Sequence, residues 1–267
     1  MTKFIKNKLF ALVLGVMVMA LGVVAPSFTN TAQAAAATTK TVYVDVERNV
    51  FSQSPILEPV KVTLDDSETI LDATVQAAAT QDIDVDGSSS YVSAFQDSSP
   101  IPDNKYTFYN RVNSITNGVV FRTDLPNQPI ITDNDYLREK EYDGISGWMF
   151  TVNDSLTEDN GTYYTAGTSL AEVPDNAVIR WEFTAAMGAD LGLADSAYLP
   201  TAVDEYGYYD WSTAVYTAPF FTRADKSELI RKIADADTND PDYQAALTAL
   251  QTLQISQDDV DAAAAAL

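Results

Sequence analysis

Neither cysteine nor histidine occurs in the 267 residues. The first absence rules out a disulfide framework and thiolate chemistry, so the chain must fold on its core alone. The second removes Ser-His-Asp and Cys-His catalysis and imidazole-ligated zinc or haem. Positive charge is also scarce: 16 Lys+Arg stand against 38 Asp+Glu, a formal net charge of −22. Such a polyanion has no charge-based affinity for nucleic acid or for an anionic membrane. Cations, neutral ligands and basic surfaces remain as partners, although acidity also serves simply as a solubility device.

The basic residues that do occur begin with Lys3, Lys6 and Lys8, followed by an apolar run from Leu9 to Val24 and then Ala32-Gln33-Ala34. Basic region, apolar run and A-x-A site, in that order, read as a secretory signal peptide over residues 1–34. The apolar run falls short of the ~20 residues of a comfortable membrane span. Losing this leader removes three positive charges and no negative one, so −22 becomes −25. The expected mature protein is secreted, extracellular or cell-surface associated, with no transmembrane segment, and its lack of cysteine suits a Gram-positive type of bacterium.

Beyond the leader, "TVYVDV" (Thr41 to Val46) alternates as a strand, and "PVKVTLDD" (Pro59 to Asp66) is a second. "SETILDATVQAAAT" changes period to that of a helix, with Ser67 as N-cap candidate and Ile70, Leu71, Thr74, Val75 and Ala78 on one face. Short strands are expected at "YVSAFQ" near Tyr91 and "NGVVFRTDL" near Asn117. "GWMFTVN" and Val178 to Phe183 are the clearest strands of the second half. Residues 193–224 read as an extended, aromatic-rich linker. From Asp225, three capped amphipathic segments predict a helical module over 225–267, too small to stand without a neighbour.

Three motifs in order carry a resemblance: Thr69-Ile70-Leu71-Asp72-Ala73, Gly147 to Asn153, and Asn176 to Phe183. Over residues 40–192 the chain resembles the transcobalamin C-terminal-like domain family, similar to the small β domain of transcobalamin and intrinsic factor. The resemblance implies an α+β fold: a β-grasp-like mixed sheet with one packed helix, here followed by the small all-α helical module. Two departures stand out. An insertion over 97–143 lengthens the link before the Gly-Trp strand, and the large helical barrel that completes the cobalamin clamp in transcobalamins is missing. The C-terminal segment more weakly resembles a FIVAR-type helical module, through Leu229, Ile233, Ala236, Tyr243, Leu247, Leu250 and Val260.

Candidate ligand-binding residues cluster around the Gly-Trp strand. Trp148 and Phe150 share one of its faces, and Met149 and Thr151 the other. The resemblance places Trp148 and Phe150 near a corrin ligand, with the Asn153-Asp154 turn projecting towards it. Two bland readings stand beside this: Trp148 fills the core, and Asn153 is a turn former tolerant of positive φ. Tyr163 and Tyr164 in "DNGTYYTAG", and the run Tyr206 to Trp211, are either aromatic platforms or exposed loop tips. Asp82, Asp84 and Asp86 with Gly87 match the opening of a Ca2+ loop, but Ser93 occupies the place of the bidentate glutamate, and an acidic solvated turn is the reading that fits better. Acidic pairs such as Asp65-Asp66 and Glu139/Glu141 say nothing about the carboxylate separation that glycosidase chemistry needs.

The expectation is an exported, non-enzymatic protein that captures a small-molecule ligand, a cobamide by resemblance. Without histidine, a bound corrinoid would keep its own lower base. The alternative is a structural or adhesion module recognising cell-surface protein or glycan. No nucleic-acid role is expected.

Overall fold

The first hairpin pairs β1 (Thr39–Glu47) with β2 (Leu57–Asp65), antiparallel, with a register shift between Val44 and Val46. The computed structural model describes residues 38–97, 135–141, 145–193, 198–202, 204–205, 210–216 and 218–267. The leader, the strand expected near Asn117, most of the 97–143 insertion and Tyr206 to Tyr209 lie outside the described residues.

After β2 the chain enters α1 (Ile70–Ala79). The cap is Thr69, not Ser67. Asp72 N donates to Thr69 Oγ1 at 3.2 Å, and Thr69 N donates back to Asp72 Oδ2 at 2.9 Å. Ser67 is held instead by Asp65, whose Oδ1 accepts from both its N–H and its hydroxyl. The next two helical N–H groups, of Ile70 and Leu71, donate to Thr168 and Ala166 carbonyls at 3.0 and 2.8 Å. The buried stripe of α1 is Ile70, Ala73, Thr74, Ala77 and Ala78, and its small side chains let the helix lie close to the sheet.

A small antiparallel sheet follows, in the order β3 (Val85–Ser88), β4 (Tyr91–Gln96) and β5 (Tyr136–Arg138). The chain then returns to the main sheet with β6 (Gly147–Val152) and β7 (Ala177–Thr184). Main-sheet order is β2-β1-β7-β6; β7 runs parallel to β1 and antiparallel to β6. A hairpin, a crossing helix and a last strand laid parallel beside the first give the mixed α+β sheet in its β-grasp-like arrangement. The pair β8 (Tyr198–Leu199) and β9 (Val215–Tyr216) is a short addition.

Both faces of the main sheet are covered. On one, Val42, Val44, Val46, Ile179, Trp181 and Phe183 join α1 and the small sheet in the main core. On the other lie α2 (Ser227–Asp235), α3 (Tyr243–Gln251) and α4 (Gln257–Ala266). Leu229, Ile230, Ile233, Tyr243, Ala246, Leu250, Val260 and Ala264 form a second core there with Tyr43 and Val178 of the sheet. Polar ties register this layer: Tyr43 Oη donates to Asp235 Oδ2 at 3.0 Å, and Tyr243 Oη to Glu58 Oε2 at 2.9 Å. The module's missing neighbour is therefore the sheet. That cover buries alternate residues of the sheet as well: Tyr43, Asp45 and Glu47 of β1, and every residue of β7.

Candidate functional site

Trp148 stands where three groups of candidate residues meet. It is 8 % exposed, and its indole N–H donates to the Leu137 carbonyl at 3.0 Å. Phe95 and Phe183 meet it edge-on, with ring centroids at 4.7 and 5.3 Å. Its body is a core residue, yet two clefts open against it. The larger, about 290 Å³, is lined by Tyr91, Glu139, Ile145, Met149, Met187 and Trp211, among others. The smaller, about 190 Å³, lies between Tyr91, Phe150, Tyr164 and Trp181. Tyr91 and Trp148 border both.

Tyr91, which lines both clefts, donates its Oη proton to Glu139 Oε2. Burial, and then the Glu139 carboxylate, push this phenol well above its usual range, so it remains a neutral donor. Phe150 lies 4.6 Å from Trp181, centroid to centroid, and Trp181 passes its own N–H to Thr74 Oγ1 at 2.9 Å. Around Trp148 the walls are therefore apolar and aromatic, with a few polar groups in the lining (Glu139, Lys140 and the buried Ser146). That composition suits a flat, amphipathic ligand.

Of the residues singled out in the sequence, Trp148, Phe150 and Tyr164 are brought together here. Tyr163 is 55 % exposed and does not line either cleft. Asn153 is elsewhere. With φ 48° it forms, with Asp154 at φ 62°, the two left-handed positions of a tight turn between Val152 and Ser155. Its Oδ1 accepts from Val178 N and from Arg231 Nη2, both at 2.9 Å, tying α2 to the sheet. Tyr91, Met187 and Lys140 carry no site signal in the sequence, and Glu139 carries one only as half of an acidic pair. Trp211 carries one as the end of an aromatic run.

Asp82, Asp84 and Asp86 do not circle a common point. Asp82 takes φ 57° just after α1, Asp84 N donates to Gln96 Oε1, and Asp86 lies in β3, paired to Arg138 at 2.5 Å. Pairing of β3 with β4 occupies the place of a loop. Among the described residues no group of three or more potential ligands is gathered for a metal ion.

Under the helical layer lies a second constellation. Arg180 donates to Glu47 through Nε at 2.7 Å and Nη2 at 2.9 Å, and meets Glu182 at 3.0 Å. Arg223 bridges Glu182 at 2.9 Å and Asp154 at 2.5 Å. Burial drives Asp45 far above the usual carboxylate range, and neighbouring Glu47 adds to the shift. Glu47 is pushed up by burial but pulled further down by Arg180, so it is the ionised member of the pair. Asp154 is raised by burial to about 6 against the attraction of Arg223 and Arg180. Lys226 lies nearby, its Nζ donating to the Leu250 and Thr252 carbonyls, and Asp154 keeps 18 % of its side chain exposed. These ion pairs tie β1 and β7 to the segment before α2.

The fold thus defines an α+β protein with a mixed sheet covered on both faces and an aromatic cleft at one side. No family model, curated protein or solved structure matches the chain. No helix among the described residues is long and apolar enough to cross a membrane.

Proposed function

We propose that the protein is an exported, non-enzymatic binder that captures a flat, amphipathic small molecule against Trp148, a cobamide being the ligand suggested by the family resemblance. The observation that carries this is the pair of aromatic clefts sharing Tyr91 and Trp148. Together they offer one stacking wall and a few polar groups in the lining, enough to hold the edge of a planar ligand but not to enclose it. Tyr91 and Trp211, 48 % and 47 % exposed, are the residues a ligand would meet first.

Calorimetric and visible-spectrum titration with cobalamin tests the reading. Binding is expected, weakened by about three- to tenfold in Tyr91→Ala and in Trp211→Ala, the loss of one aromatic contact of about 0.5–1.5 kcal/mol. No heat and an unshifted spectrum would exclude the cobamide. Binding untouched by both substitutions would exclude this cleft. A second reading, adhesion to cell-surface protein or glycan, draws on the exposed rings of Tyr163 and Tyr216, the latter 81 % exposed. Retention on isolated cell walls without any affinity for cobalamin would favour it.

A further inference from the structure

A lysine, an asparagine and a glutamate meet between the sheet and the helical layer, away from the aromatic cleft. Lys226, just before α2, and Asn49, just after β1, are each 2 % exposed, and Glu47 is fully buried. Lys226 Nζ donates to the Leu250 carbonyl at 2.5 Å, and Asn49 Nδ2 donates to the same oxygen at 3.1 Å. A primary amine and a carboxamide thus converge on one acceptor. Asn49 Nδ2 also donates to Glu47 Oε2, so the carboxylate touches the amide nitrogen. These contacts by themselves secure the carbonyl end of α3, but they also assemble the parts of an acyl transfer. The amine is desolvated, a carboxamide shares its carbonyl acceptor, and a carboxylate touches that carboxamide.

We propose that Lys226 and Asn49 form an intramolecular isopeptide bond, with Glu47 as the proton carrier. The lone pair of the neutral Lys226 amine adds to Asn49 Cγ. The proton released from Nζ passes to the Glu47 carboxylate, and Glu47 returns it to Nδ2 as the Cγ–Nδ2 bond breaks. One C–N bond forms, one breaks, ammonia leaves, and no oxidant or reductant is required. Burial favours the reactive form of the amine: it draws Lys226 down to about 8, against the opposing pull of Glu47. About a tenth of the amine is then neutral at pH 7, against roughly one part in 2,500 for an exposed lysine. Asp45, Arg180, Glu182 and Arg223 surround the group and exchange no atoms in the step. The product would tie the end of β1 to the start of α2, locking the helical layer to the sheet. In a chain without cysteine this is the covalent staple that remains available.

Intact-mass measurement and tryptic mapping of the folded full chain, held at pH 8, test the proposal, with the processed N-terminus read from the same map. The expected result is a mass about 17 Da below the linear sequence, for one ammonia lost. It is accompanied by a branched peptide joining residues 49 and 226 and by loss of cleavage after Lys226. Lys226→Arg and Asn49→Ala should both have linear masses. Folded wild-type protein of linear mass, cleaved normally after Lys226, overturns the proposal. So does ammonia loss without the branched peptide, since asparagine can lose ammonia by cyclising on its own backbone. The wild-type measurement decides the matter even where a variant does not fold.

Discussion

Asp45 shows what one side chain can reveal about how this protein tolerates burial. Its carboxyl is fully buried beside Glu47, which already holds Arg180. The fold raises its pKa, so the folded chain keeps a proton that the unfolded chain loses at about pH 4. The stabilisation attached to that proton is complete below the unfolded value and is lost progressively as pH climbs towards the folded one. Asparagine has the same shape and carries its own N–H donors towards Glu47. Asp45→Asn should therefore be more stable than wild type at pH 7. The gap in unfolding free energy should widen as pH rises above the unfolded value, by at most about 1.4 kcal/mol per pH unit while the folded carboxyl keeps its proton. Urea unfolding at three pH values reads this directly. A gap that does not change with pH would mean that Asp45 is ionised in the fold.

At the scale of elements, the turn over 165–168 has more influence than its length suggests. It supplies the Ala166 and Thr168 carbonyls that receive the first N–H groups of α1, and it runs against the β3–β4 turn. A Cβ at Gly167 would sit 2.6 Å from the Ser89 carbonyl oxygen, closer than side-chain carbons approach backbone. Gly167→Ala should cost about 1–3 kcal/mol and lower the thermal midpoint by a few degrees. An unchanged midpoint would show that the two turns can separate freely. Gly167 drew no notice in the sequence, because the contact that requires glycine lies almost eighty residues away along the chain. Local elements were more legible. Alternation marked β1, β6 and β7, the period change marked α1, and Asn153 could be read as a positive-φ turn former. The cap was misplaced by two residues because Ser67 and Thr69 both fit the pattern. Only the position of Asp72, three residues after Thr69, separates them. The site was partly legible: Trp148, Phe150 and Tyr164 do meet. Tyr91 and Met187 join them through tertiary packing that no local spacing encodes.

The whole molecule depends on the second cover of its sheet, and sequence alternation conceals this. A strand with polar residues at every second place reads as one facing water. In β1 and β7 every second place holds Tyr43, Asp45 and Glu47, and Val178, Arg180 and Glu182; all are buried, Tyr43 and Val178 in the core that α2, α3 and α4 complete. From residue 37 onward the chain is one compact unit, and the helices are a layer of it. Removing residues 225–267 would take away Lys226 and open Tyr43 and Val178 to solvent. It would also leave the Glu47–Arg180–Glu182 cluster half hydrated and short of one cation. The apolar area that the second core buries is worth roughly 25 cal/mol per Å², and its loss removes a large part of the total stability of about 5–15 kcal/mol expected for a domain. The chain truncated after Ala224 should therefore lose its near-ultraviolet circular dichroism and bind a hydrophobic dye. It should also unfold without a cooperative transition, while the far-ultraviolet spectrum keeps a strand contribution. A truncated chain with the native near-ultraviolet spectrum and a sharp thermal transition would show that the sheet and α1 suffice alone, and that the helices are an accessory.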